Sequence, residues 1–89
     1  MGPYKLVFKP SVEKDLRNLP KTVVERVVKK IEGLPGQPSP PGCVRLEGAE
    51  RLCRIRIGDY RVVYEVDRTA RLITVHYVRH RRDVYRRIR

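Results

Sequence analysis

Three arginines within residues 52–64, LCRIRIGDYRVVY, have the type and spacing to bind phosphate. The alternation of apolar residues with Arg54 and Arg56 predicts a strand that carries both arginines on one face. The Gly-Asp dipeptide that follows predicts a two-residue type II′ turn with glycine first. This turn sets Arg56 opposite Arg61 on the returning strand, so all three arginines share a face. A guanidinium presents a planar fork of donors that matches a phosphate group.

The predicted hairpin register also pairs Ile55 with Val62, which gathers apolar residues on the opposite, core face. Directly opposed like charges destabilise a sheet, so the two facing arginines do not contribute to folding. Two explanations remain open. Either acids on the same face, such as Glu65 and Asp67, compensate the arginines, or the face binds an external anion.

A second candidate group lies in residues 78–87, VRHRRDVYRR. His80 is a candidate acid or base, Tyr85 offers an aromatic hydroxyl, and Arg81 is a candidate phosphate contact. A basic run of this kind is also typical of a solvated helix face. His76 lies mid-strand between apolar neighbours, and we interpret it as a hydrogen-bonded core histidine rather than a catalytic residue.

The two cysteines, Cys43 and Cys53, are interpreted as buried small apolar side chains. Together with His76 and His80 they would provide four zinc ligands. The nine residues between the cysteines match no common zinc-binding spacing. We therefore expect neither a metal nor another cofactor.

The net charge of +11 is concentrated in the second half of the chain. Residues 51–89 contain 12 basic side chains, all of them arginine, and 4 acidic ones. A surface so rich in arginine favours a polyanionic partner, either nucleic acid or an acidic protein. A heat-adapted surface would raise lysine and glutamate together, and glutamate is not enriched here.

The length of 89 residues leaves room for a single domain, 1–89, with a small apolar core. No apolar run approaches the ~18 residues of a membrane-spanning helix. Lys9, Glu13 and Lys14 interrupt the start of the chain in a way that a signal peptide does not allow. We therefore expect a cytoplasmic protein that neither spans a membrane nor is secreted.

The hydrophobic pattern changes from helical to alternating along the chain and predicts an α+β fold. Residues 4–9 are predicted to form a strand. An antiparallel helical hairpin is predicted over residues 11–19 and 20–31, and Ser11 is predicted to cap its first helix. Residues 33–42 form a Pro- and Gly-rich surface connector. Four strands follow, predicted at 44–46, 51–57, 60–67 and 72–79, in a mostly antiparallel twisted sheet. Residues 80–89 are predicted as a short C-terminal helix.

Two motifs, RIRIGDYRVVYEV at 54–66 and HRRDVY at 80–85, resemble the RelE/ParE toxin superfamily. The order of elements agrees over essentially the whole chain, and the match is closest to the RelE-type mRNA interferases of type II toxin–antitoxin modules. The resemblance implies a RelE-like fold and a cytoplasmic bacterial or archaeal protein that cleaves mRNA in the ribosomal A site. It also implies a small antitoxin protein, whose acidic segment we expect to cover the arginine-bearing face.

The resemblance implies catalytic roles for Arg54, Arg56, Arg61, Arg81 and Tyr85. His80, which stands beside Arg81, is a further catalytic candidate because an imidazole can act as an acid or base. Arg54 and Arg56 stand where the best-known members carry lysine, and an arginine does not release its proton. The general base is therefore expected to be Tyr85 or His80, and the sequence does not decide between these two residues.

The chemistry of such cleavage follows from attack of a ribose 2′-OH on the adjacent phosphate. It needs a proton acceptor, charge stabilisation at the phosphorane and a proton donor for the leaving 5′-oxygen, and no metal is obligatory. Two alternatives remain open: a ParE-like toxin of the same fold that poisons a topoisomerase, and a non-catalytic basic module that binds RNA or the ribosome. His80, Arg81 and Tyr85 beside three clustered arginines favour the nuclease.

Overall fold

A computed structural model describes residues 3–46 and 51–82 of the chain. It contains two helices and five strands, which confirms the predicted α+β class and element order. In chain order the elements are β1 (Lys5–Phe8), α1 (Pro10–Arg17), α2 (Lys21–Glu32), β2 (Val44–Arg45), β3 (Leu52–Ile57), β4 (Tyr60–Asp67) and β5 (Leu72–His80). Most predicted boundaries hold to within one or two residues.

The five strands form one sheet in the order β1-β5-β4-β3-β2. β1 runs parallel to β5, and the remaining neighbours are antiparallel. The β3–β4 register is the predicted one, with Ile55 opposite Val62 and Arg56 opposite Arg61. Gly58 has a φ of 59°, while Asp59 has no positive φ, as a type II′ turn requires.

Both helices place their apolar residues in the core on one side of the sheet. Val12 of α1 and Val27 and Ile31 of α2 are completely buried. They join the inward-facing residues of the central strands, which include Ile55, Val62, Tyr64, Ile73 and Val75. The apolar spacing of four residues in α2 and of two in the strands explains why each element contributes one face.

Ser11 does not cap α1, contrary to the sequence-based prediction. The helix begins one residue earlier, at Pro10, with Lys9 in the capping position. Proline suits this first position because its missing N–H has no helical partner there in any case. The Ser11 hydroxyl instead donates a hydrogen bond of 3.0 Å to the His76 carbonyl oxygen, which ties α1 to β5.

The connector between α2 and β2 is anchored to the core rather than lying wholly on the surface. Leu34 is 1% exposed and belongs to the core, although the sequence predicted a surface segment. The hydroxyl of Tyr64 donates a hydrogen bond of 2.7 Å to the Pro38 carbonyl oxygen. These two contacts fix the path of a segment that has no regular structure.

A β-bulge in β5 reverses the alternation of its side chains. The residues after the bulge therefore point to the opposite side of the sheet from that expected for a regular strand. Val63 of β4 pairs with Tyr77, whereas the next residue, Tyr64, pairs with Val75. His76 is therefore the extra residue, and it lies on the side away from the helices, not in the core.

The chain leaves β5 at His80, and Arg81 and Arg82 have helical conformation. The rest of the predicted C-terminal helix lies outside the described residues. Within the described part of the chain, no helix has the length and apolar character needed to cross a membrane.

Candidate active site

Arg54, Arg56 and Arg61 lie on the side of the sheet opposite the helices, and we call this group the arginine face. The strand alternation places them there, because Cys53 and Ile55 turn into the core from the same strand. Arg56 is exposed, whereas Arg54 and Arg61 are half-buried. The structure thus brings together the three arginines that the sequence predicted to share a face.

Arg56 and Arg61 converge on one backbone carbonyl at the β3–β4 turn. The Arg56 Nε donates to the Gly58 carbonyl oxygen at 3.2 Å, and the Arg61 Nη1 donates to the same oxygen at 3.4 Å. The Arg61 Nη1 also lies 3.2 Å from the Tyr60 carbonyl oxygen. Neutral carbonyls hold the two guanidinium groups in place, and these bonds do not neutralise their charges.

The acids proposed as compensating partners bind other residues. Glu65 Oε1 lies 3.1 Å from His76 Nε2, and Asp67 Oδ2 lies 3.5 Å from Arg51 Nη1. Within residues 3–46 and 51–82, no carboxylate forms an ion pair with any arginine of the arginine face. Compensation by Glu65 and Asp67 is therefore wrong, and the alternative, an external anion, gains support.

A fourth arginine, Arg79, stands opposite Arg61 on β5 but is neutralised within the fold. Its guanidinium forms an ion pair with Asp15 of α1, and that carboxylate also accepts a 3.0 Å hydrogen bond from the Val78 N–H. The Arg79 guanidinium carbon lies 5.6 Å from the centroid of the Tyr77 ring. The sequence analysis missed this pair, since an acid early in a helix suggests an interaction with the helix dipole.

His80 lies on the helix side of the sheet, away from the arginine face. Its ring contacts Tyr60 edge-on, with centroids 5.3 Å apart, and its Nδ1 accepts a 3.3 Å hydrogen bond from the Arg82 N–H. It lines a cavity of about 260 Å³ together with Asp15 and Asn18. The bulge at His76 causes this placement, because the extra residue reverses the alternation along the rest of β5.

Arg81 lies beside the hairpin turn, whereas Tyr85 lies outside the described residues. The Arg81 N–H donates a hydrogen bond of 2.8 Å to the Asp59 carbonyl oxygen. This bond fixes the beginning of the C-terminal segment at the turn on which Arg56 and Arg61 converge. The exposed Arg81 side chain is thus attached to the same end of the sheet.

The cysteines belong to a structural cluster on the core side. Burial and the neighbouring Cys43 thiol raise the pKa of Cys53, and burial together with a hydrogen bond to Cys43 raises the pKa of Tyr64. The Tyr64 oxygen lies 3.5 Å from the Cys43 sulfur. Cys53 is buried as predicted, but Cys43 is half-buried. In the described residues, no three His, Cys, Asp or Glu side chains form a group that could hold a metal.

Comparison with known proteins assigns the chain to a family. The family model described as "ParE toxin of type II toxin-antitoxin system, parDE" matches residues 6–85. A curated Methanocaldococcus jannaschii protein assigned as toxin RelE1 is 33% identical over 78 residues, which cover 84% of this chain and 87% of that protein.

Solved structures agree with that match. RelE in the archaeal RelE–RelB complex from Pyrococcus horikoshii superposes with a TM-score of 0.80 at 31% identity, over 89% of this chain and 96% of that one. The isolated E. coli RelE toxin gives a TM-score of 0.75 at 26% identity, over 97% and 99% of the two chains. The chain therefore belongs to the RelE/ParE family of toxins from type II toxin–antitoxin modules.

Proposed function

We propose that this toxin is an endoribonuclease that cleaves ribosome-bound mRNA by attack of a 2′-OH on the scissile phosphate. The observation that carries the proposal is the arginine face, where Arg54, Arg56 and Arg61 have no carboxylate partner among the described residues. A phosphorane carries more negative charge than the phosphodiester from which it forms. Preorganised guanidinium groups would therefore stabilise the transition state more than the substrate.

The proton transfers need a residue other than these arginines, because a guanidinium stays protonated. Tyr85 and His80 remain the two candidates. The position of His80 on the helix side, with its Nδ1 accepting the Arg82 N–H, favours Tyr85 as the base. Arg81, attached to the hairpin turn, would add positive charge beside the phosphate. None of these roles requires a metal ion.

The direct test is translation in vitro with primer-extension mapping of the mRNA. We expect new 5′ ends at ribosome-occupied codons, a dependence on ribosomes, and loss of these ends in the Arg61→Ala variant. Intact mRNA in a reaction where translation nevertheless stops would contradict cleavage. That outcome would favour the non-catalytic module that binds RNA or the ribosome.

A ParE-like topoisomerase poison is the second candidate, and the description of the matching family model favours it. Arginine at both 54 and 56 agrees with this candidate too, since neither can act as a base. A DNA supercoiling assay with purified gyrase distinguishes the two functions. Inhibition of gyrase at toxin concentrations that leave mRNA intact would contradict the nuclease function and support the topoisomerase poison.

A cognate antitoxin is the expected protein partner, since RelE occurs with RelB in the Pyrococcus horikoshii complex. We propose that an acidic antitoxin segment covers the arginine face of this chain, whose net charge is +11. Affinity should then fall steeply as salt is added. An affinity that ignores salt, or an antitoxin that contacts residues 1–32 alone, would contradict this. The proposed location of both proteins is the cytoplasm.

A further inference from the structure

A groove between α2 and the β3–β4 turn forms a second basic site, which adjoins the arginine face. It encloses about 560 Å³ and is lined on one side by Arg26, Lys29 and Lys30 of α2 and on the other by Arg56 and Gly58. Among the described residues that line it, four are cations and none is a carboxylate. A concave volume of this size accommodates a small ligand of nucleotide dimensions.

The three α2 cations lie on one helix face because they are spaced three and four residues apart. All three are exposed, and the ion pairs of the described residues include none of them. A favourable interaction with the helix C-terminus accounts for lysines in the last turn. It does not account for Arg26 one turn earlier, nor for Arg56, which lines the groove from the β3–β4 hairpin.

Gly58 connects this groove to the arginine face. Its carbonyl oxygen accepts from Arg56 and Arg61, and the Arg26 Nη2 lies 3.6 Å from the point that a Cβ on Gly58 would occupy. Arg26, Arg56 and Arg61 thus surround one glycine, and Arg56 belongs to both sites. A polyanion on the arginine face can follow the turn into the groove and remain beside positive charge throughout.

We infer that the groove binds the phosphodiester backbone of the same single-stranded RNA, close to the phosphate held on the arginine face. The ligand class rests on the proposed function, whereas the site itself rests on the geometry above. The three arginines at the junction suit phosphate, since each guanidinium can donate two parallel hydrogen bonds to its oxygens. An acidic peptide is the competing ligand, and the experiment separates the two.

The test measures binding of a labelled 2′-O-methyl RNA by fluorescence anisotropy at several salt concentrations. A strand of about 12 nucleotides lies within the range that single-strand-binding domains cover, and it cannot be cleaved because it lacks a free 2′-OH. The groove variant is Arg26→Gln/Lys29→Gln/Lys30→Gln. The matched control is Lys9→Gln/Lys14→Gln/Lys21→Gln, which removes three exposed cations outside the groove and gives the same change in net charge.

Each phosphate contact contributes about 0.7 to the slope of log affinity against log salt for single strands. We expect the groove variant to lower this slope by about 2 and the control to leave it near that of the parent. Equal slopes for the groove variant and the control would overturn the inference, even if Arg61→Ala still weakens binding and the proposed function stands. Groove-dependent binding without any mRNA cleavage would support the site while the nuclease function fails. Groove-dependent binding of polyglutamate but not RNA would overturn the choice of ligand.

Discussion

Three arginines stand in one row across the sheet, and they differ in whether a carboxylate of the described residues neutralises them. Arg56 pairs with Arg61 across β3 and β4, and Arg61 pairs with Arg79 across β4 and β5. Arg79, with a side chain that is 18% exposed, is neutralised by Asp15. Arg56 and Arg61 both donate to the Gly58 carbonyl oxygen, and neither has a carboxylate partner among residues 3–46 and 51–82. The comparison shows that the fold neutralises the arginine it buries beside α1, whereas the proposed function assigns the other two to an external anion.

The largest expected effect is on catalysis by the Arg61→Ala variant. Loss of one preorganised donor lowers the cleavage rate by about 100- to 1,000-fold. Stability should stay level or rise slightly, because the change removes one of two opposed like charges. Melting temperature and cleavage of ribosome-bound mRNA are measured on the same preparation. Arg68→Ala, which removes an exposed arginine outside this row, is the control. Marked destabilisation with unchanged specific activity would contradict the prediction.

Tyr85→Phe is expected to lower the rate more than His80→Gln does. Loss of a general base costs about 100-fold or more, and phenylalanine keeps a ring that can stack on a nucleotide base while losing the hydroxyl. His80 points to the helix side, so its replacement should change the rate only a few-fold. Single-turnover rates across pH provide the measurement. If His80 is the base instead, His80→Gln should lower the rate more than Tyr85→Phe does. Equal rates for Tyr85→Phe and the parent would leave Tyr85 as a stacking platform.

Local sequence information was sufficient to predict the arginine face. The alternation around Arg54 and Arg56 and the Gly-Asp turn both act over a few residues, so the register of the hairpin could be derived without the rest of the fold. The capping role assigned to Ser11 was wrong because that hydroxyl bonds to a carbonyl 65 positions away.

A contact between distant residues and a reversal of the strand alternation account for the features that were not predicted from the sequence. Asp15 and Arg79 are 64 positions apart, and no local pattern links them. The side taken by His80 depends on the bulge at His76, which reverses the alternation of β5. One signal was present: the apolar spacing changes from two to three residues between Val75 and Val78. Such a change of spacing is expected where one extra residue is inserted into a strand.

The Asp15→Asn variant tests how much the neutralisation of Arg79 contributes to the free energy of unfolding. Asparagine keeps an acceptor for the Val78 N–H but leaves the Arg79 charge unpaired, which for a buried pair costs about 3 kcal/mol of unfolding free energy. Glu13→Gln is the matched control, because Glu13 and Arg17 form an exposed pair on the same helix worth about 0.3 to 0.5 kcal/mol. Chemical denaturation measures both variants. Equal losses for the two would show that the Asp15–Arg79 pair is not a special requirement of the fold.

The smallest expected effect comes from a neutral polar contact, and Tyr64→Phe isolates it. The variant loses the hydrogen bond to the Pro38 carbonyl and should unfold about 1 kcal/mol more easily near pH 7. The folded-state pKa of Tyr64 is raised by burial, whereas an unfolded tyrosine titrates at about 10. Above that pH the unfolded parent releases a proton that the folded parent retains. The parent's advantage should therefore shrink by about 1.4 kcal/mol for each pH unit. Denaturation of both proteins from pH 7 to 11 should show the difference vanishing near the upper limit. A constant difference across this range would mean that Tyr64 ionises equally in both states, and would contradict the expected pH dependence.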